Sequence, residues 1–264
     1  MRSRINYYFL FFAHKIYFLL CEKAPLVIKY YYKINIRLFQ SKRDRILLEY
    51  SRKTENFFVF QIGANDGFIG DPIHKFIFKF GWRGILIEPQ PFVFHNYLLK
   101  TYAKQDQIFA INCAIGEIKG SQPLYSLSFS NHRWATGLSS FSKSGINNLL
   151  SNGYIQKKAK QQGIGLPEIE DCIIENIVEV MTFEDLLQSH EVKKIDLLQI
   201  DAEGYDGKLI SIFPFSKYKP IFINFEHSHM KQTEYNSICL ELNNHGYELT
   251  KIENDTFCFL NPKY

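Results

Sequence analysis

The stretch from Phe57 to Gln90, FFVFQIGANDGFIGDPIHKFIFKFGWRGILIEPQ, restricts the fold more than any other part of the chain. It opens with a run from Phe57 to Ile62 that is apolar but for Gln61, too short for a helix of usual length and rich in aromatic and β-branched residues. That is the composition of a strand covered on both faces, as at the centre of a parallel sheet. Gly63-Ala64-Asn65-Asp66-Gly67 follows at once, and two glycines so placed permit a sharp turn with the backbone within contact distance of a ligand. A second short apolar run, Ile85 to Ile87, ends on Glu88. This acid falls roughly twenty residues after the loop, where nucleotide-binding α/β sheets place the carboxylate that accepts hydrogen bonds from a ribose diol.

Charge narrows the ligand. Gly63-x-x-x-Gly67 lacks the G-x-G-x-x-G of a pyrophosphate binder and the Lys and Ser/Thr of a phosphate-cradling P-loop. Asp66 within the loop would repel a diphosphate, whereas it suits a nucleoside that carries an amino group and a sulfonium cation. S-adenosylmethionine is such a nucleoside. Two alternatives stay open on the residues alone: a nucleotide-sugar or NAD-dependent oxidoreductase, and a binding protein that keeps the fold without turnover.

Four blocks, QIGANDG, GWRGILIEPQP, INCAIGE and IDLLQIDAEGYD, occur in this order between about Phe57 and Glu226. They resemble the successive motifs of the FkbM family of S-adenosylmethionine-dependent methyltransferases. The resemblance implies a class I methyltransferase fold, Rossmann-like, with a mostly parallel seven-stranded sheet, helices on both faces and an antiparallel last strand. It also implies that Gly63, Ala64, Asn65, Asp66, Gly67, Glu88 and Pro89 hold the cofactor, with Asn112, Cys113 and Ala114 beside the adenine ring. FkbM relatives act on varied acceptors, polyketide-type and saccharide hydroxyls among them. O-methylation of a saccharide or another small or lipid-linked acceptor is therefore the expected activity.

Ligands of an open parallel sheet bind outside the carboxyl ends of its strands. A strand from Ile195 to Ile200 would end on Asp201-Ala202-Glu203-Gly204, and one from Ile221 to Phe225 on Glu226-His227-Ser228-His229. Acids are rarely buried unless paired, so this concentration is hard to assign to packing. Asp201, Glu203 and His227 are predicted as the catalytic residues, one of them taking the proton of an acceptor hydroxyl; His229 fits a surface turn equally well. Asp201, Glu203, Glu226 and the histidines also form an oxygen-rich set suited to Mg²⁺ or Mn²⁺, a requirement the sequence does not decide.

At 264 residues, 46% hydrophobic and 22% charged, the chain suffices for one α/β domain plus a small appendage. The net charge of +4 comes from basic residues crowded into the first fifty or so positions. The remainder is close to neutral, which argues against a nucleic-acid groove across the catalytic domain. Five cysteines without C-x-x-C spacing point to a reducing, cytoplasmic setting. Residues 7–21 are apolar but interrupted by His14 and Lys15, too short and too charged to span a membrane. Two amphipathic helices are predicted instead, Ile5 to Leu20 and Leu26 to Phe39, which either cover the sheet or bring residues 1–40 to an anionic lipid surface. The resulting division is an appendage over 1–50 and a methyltransferase domain over 51–264. Within the latter, the Ser-, Gly- and Asn-rich stretch 124–176, containing His132, Arg133 and Trp134, shows no regular pattern and is expected to be either a functional lid or a disordered insertion. Oligomeric state is not legible.

Overall fold

The structure is a computed structural model and describes residues 16–261. The predicted helical segment before residue 16 lies outside the described residues. Helices α1 (16–23), α2 (Pro25–Ile34) and α3 (Lys42–Lys53) lead into β1 (Phe58–Ile62), α4 (His74–Phe80) and β2 (Arg83–Ile87). Next come α5 (Pro91–Val93), a π-helical turn (Phe94–Leu98), α6 (Leu99–Thr101) and β3 (Ile108–Ile111). An excursion follows, made of β4 (Ala114–Ile115), β5 (Gly120–Leu127), α7 (Arg133–Thr136), α8 (Lys143–Ser151), α9 (Tyr154–Gln162) and β6 (Ile173–Met181). The chain then returns through α10 (Phe183–Ser189), β7 (Leu197–Ile200), α11 (Asp206–Ser211), β8 (Phe222–Glu226), α12 (Gln232–Asn244), β9 (Tyr247–Ile252) and β10 (Asp255–Leu260).

The seven-stranded sheet has the order β3-β2-β1-β7-β8-β10-β9. Strands β3, β2, β1, β7 and β8 run parallel, and β10 is antiparallel to both its neighbours, so the sheet is the class I methyltransferase type with an antiparallel last strand. Period-two alternation sorts the side chains to two faces. Phe60, Ile85, Leu198 and Ile223 meet Leu186 of α10, Leu209 of α11 and Leu242 of α12. Val59, Leu86, Leu197 and Phe257 meet Phe76 of α4, Ile28 of α2 and Leu47 of α3. Burial on both faces explains why β1 reads as an almost unbroken apolar run.

The boundary expected at residue 50 falls inside α3, which is continuous to Lys53. Ser41 and Asp44 form a capping box that starts this helix, and no helix breaker interrupts it before Thr54. Arg43 then ties it to the sheet, its Nη1 donating to Asn224 Oδ1 at 3.1 Å and Asp255 Oδ2 at 2.6 Å. Helices α2 and α3 are thus a layer of the domain over one sheet face.

The stretch 124–176 is regular where irregularity was expected. β5 and β6 pair antiparallel from Gly120↔Val180 to Leu127↔Ile173 and, with β4, make a second sheet of order β4-β6-β5. The helices between them bury Ala135, Ile146, Leu150 and Ile155 against Leu127 and Cys172. Pro123 lies within β5, which is tolerated because β5 is an edge strand.

Candidate active site

The exit of β1 is pressed against the exit of β7. Gly63 has φ 77°, and a Cβ at this position would lie 1.8 Å from the Asp201 carbonyl oxygen, so only glycine fits. The Gly63 and Ala64 N–H groups donate to the Ile87 carbonyl at 3.0 and 2.9 Å, which locks the turn to the end of β2. Glu88, 2% exposed, completes the lock: its Oε2 accepts from Asn65 N–H at 2.8 Å and its Oε1 from Gln90 N–H at 2.9 Å. Burial pushes the Glu88 carboxyl up to about 7, against the opposing pull of those two N–H donors and of Arg133.

These strand ends open on a cavity of about 540 Å³, within the size range of small-molecule sites. Its floor is Ile62, Gly63, Asn65, Ile87, Glu88, Pro89 and Gln90; one wall is Ala114 and Ile115, and the other runs from Asp201 to Tyr205. Arg133, Thr136, Gly137 and Ser139 to Ser142 of the excursion form the roof. Gln90 holds this roof in place, its Nε2 donating to the Thr136 carbonyl at 2.9 Å while its Oε1 accepts from the Ser139 hydroxyl at 2.8 Å.

Of the residues predicted to hold the cofactor, Gly63, Asn65, Glu88, Pro89 and Ala114 line this cavity. The others stand behind it. Asp66 Oδ1 accepts from the N–H groups of Phe68 and Ile69, both at 2.8 Å, so this carboxylate caps its own turn. Gly67 is needed for packing, since a Cβ there would meet the Tyr102 ring at 2.6 Å. Ala64 is buried in the core beneath the loop, and Cys113 in the core on the opposite face. Asn112 braces the floor from below, Nδ2 donating to the carbonyls of Glu88 at 2.8 Å and Pro89 at 3.1 Å.

Asp201 and Glu203 line the cavity as expected. Burial, reinforced by the Glu226 carboxylate, raises Asp201 to about 6. Glu203 is raised to about 8, by burial first and then by Asp201 and Glu226; 34% of its side chain still meets solvent. Its backbone at φ 49°, followed by Gly204 at φ 95°, turns the chain sharply after β7. His227 does not join them. Its Nδ1 lies 3.1 Å from Thr256 Oγ1 and its ring packs near Tyr235, because the turn after β8 is held by β10 and α12. His229, two residues on, takes the place among the acids, with Nε2 3.6 Å from both Glu203 Oε2 and Glu226 Oε2.

Two residues beyond the predicted set matter. Asp206, wholly buried, accepts from Ala202 N–H and Glu226 N–H, both at 3.1 Å, and so staples the exits of β7 and β8 together. Burial and then Asp201 raise it to about 7. In sequence it is one more acid in the first turn of a helix. Arg133, placed only within a lid by sequence, brings a guanidinium to the cavity, and its buried Nε has no hydrogen-bond partner among the described residues.

The family profile described as "Methyltransferase FkbM domain" matches residues 61–249. A comparison with curated proteins returns no match. Among solved structures, the METTL16 MTase domain is similar at 10% identity, over 89% of this chain and 79% of that chain, with a TM-score of 0.44. Cofactor-bound Rv0187 from MTB is similar at 10% identity, over 91% and 89%, with a TM-score of 0.42. Precorrin-6y C5,15-methyltransferase from Geobacter metallireducens GS-15 is similar at 10% identity, over 85% and 92%, with a TM-score of 0.38. Likenesses this distant say nothing about the acceptor. The profile covers most of the chain, from β1 to β9, and the chain belongs to the FkbM family of S-adenosylmethionine-dependent methyltransferases.

Proposed function

We propose that this chain methylates a hydroxyl oxygen of a saccharide or another small acceptor. One observation carries this: a single cavity has Glu88 at the end of β2 and Asp201 with Glu203 at the end of β7, on either side of β1. Two strand spacings, about 10 Å, separate those ends, which leaves a donor against one acid and an acceptor against the others.

The residues fit the cofactor. Glu88 presents a buried carboxylate to the cavity for a ribose diol, and Gly63 lets the backbone pass beneath without a side chain. When bound, S-adenosylmethionine supplies a methyl carbon already activated by a sulfonium. The chain's part is alignment, a contribution of about 7–11 kcal/mol in well-oriented systems, and removal of the acceptor's proton. Asp201 is placed to take that proton. Raised only to about 6, it is ionised at neutral pH, and no side-chain hydrogen bond holds its carboxylate among the described residues. Asp201→Asn is expected to lower kcat by about 10²–10⁴ while cofactor affinity is retained.

A lipid-linked acceptor is the form we favour. On α2, Leu26, Val27, Tyr30 and Ile34 are exposed beside the exposed Lys29 and Lys33, the interleaving that suits an anionic bilayer surface. No helix among the described residues is long and apolar enough to cross a membrane. Full-length protein is expected to float with anionic liposomes, and the Leu26→Glu/Ile34→Glu variant to remain behind.

Incubation with methyl-labelled S-adenosylmethionine and fractionated cell extract tests the acceptor class. Label in a glycan or glycolipid fraction is expected. Label confined to RNA or protein excludes a saccharide acceptor, and cofactor binding without transfer to any fraction indicates a binding protein.

A further inference from the structure

The geometry points to a divalent-cation site at the cavity mouth, formed by Glu203, Glu226 and His229, with an oxygen of the acceptor completing the coordination. The three side chains offer one ligand atom each, all within 4.8 Å of one another. His229 Nε2 is 3.6 Å from Glu203 Oε2 and equally far from Glu226 Oε2, too long for a hydrogen bond. With metal–ligand bonds of about 2.0–2.2 Å, neighbouring ligands of one ion stand about 3–3.6 Å apart. Two of the three pairs already have that spacing, and the third lies within 4.8 Å.

The free oxygens are also aimed. Ser228 Oγ donates to Glu226 Oε1 at 2.6 Å, which leaves Oε2 toward His229. A Cβ at Gly137 would lie 3.3 Å from Glu203 Oε1, so that oxygen is against the roof while Oε2 is the one 3.6 Å from the imidazole. Beneath them, Asp206 fixes the backbone at Ala202 and Glu226. Such outer contacts orient metal ligands in built sites. Charge agrees: Asp201, Glu203, Asp206 and Glu226 converge at two strand ends with Arg133 as the nearby arginine, since Arg43 is engaged by Asp255. One imidazole with two carboxylates suits an ion of the Mn²⁺, Fe²⁺ or Zn²⁺ kind better than Mg²⁺, which prefers oxygen alone.

The acceptor-orienting role rests on the function proposed above, whereas ion binding does not. Chelator-treated full-length protein is titrated with Mn²⁺ alone and bound ion is read by electron paramagnetic resonance. One ion per chain is expected, weakened about 10-fold or more in Glu226→Gln and in His229→Ala. Both variants, with Glu203→Gln as a third, are checked for unchanged thermal melting and unchanged S-adenosylhomocysteine affinity. Wild-type protein that takes up no Mn²⁺ at millimolar concentration overturns the site, as does equal uptake by folded variants. Mn²⁺ uptake by protein that ignores S-adenosylhomocysteine leaves the ion site standing and removes the methyl-transfer role.

Discussion

Glu88 is the residue on which cofactor recognition is expected to turn, and its burial makes that recognition pH-dependent. Its carboxyl titrates near 7 in the folded chain, against about 4.3 when unfolded. Between those values the unfolded state has lost the proton and the folded state keeps it, so the stability that Glu88 contributes below about 4.3 is lost as pH rises through 7. Ribose hydroxyls donating to the carboxylate favour its ionised form. S-adenosylmethionine affinity should therefore tighten from about pH 5.5 to about 8.5, and in Glu88→Gln it should be weaker and flat. Calorimetry over that range checks this, and a flat wild-type profile removes Glu88 from the ribose. Glu88 was legible because a strand-end acid after a glycine turn has few structural uses. The surroundings of Asp66 and His227 were not legible, since the letters cannot say that the Phe68 and Ile69 N–H groups bond one and Thr256 the other.

Among the elements, the junction of β1 with β7 is the tightest constraint on the site. Gly63→Ala forces a left-handed backbone on a side-chain-bearing residue, at about 1–2 kcal/mol, and drives its Cβ into the Asp201 carbonyl, at about 1–3 kcal/mol of overpacking. Denaturant unfolding should show the summed loss, with cofactor binding abolished because the ends of β1 and β7 move apart. A melting curve like that of the wild type would mean the two backbones do not meet. The turn itself could be read from its glycines, but its neighbour in space could not, because β7 is more than a hundred residues away. The excursion was hidden for a related reason. β5 contains Pro123, Gly120 and three polar residues, and only pairing with β6 makes it a strand.

At the scale of the molecule, α1 to α3 close one face of the sheet. Removing residues 1–45 would uncover Phe57, Phe76 and Trp82, which pack in the same cluster as Cys21, Ile28, Tyr32 and Phe39. The truncated chain is expected to melt lower and to aggregate, read by thermal unfolding with light scattering; a soluble fragment melting like the intact chain would restore residues 1–50 as a separate appendage. The membrane test accordingly uses exposed positions of α2 in the intact protein. What the sequence alone determined was the succession of buried strand, glycine turn and acid, hence the sheet, its family and its methyl donor, since those depend on patterns a few residues long. Only the tertiary structure decided which of the crowded acids and imidazoles face the cavity. Side-chain direction at a strand end is set by the hydrogen bonds and close contacts of whatever long-range neighbour arrives there.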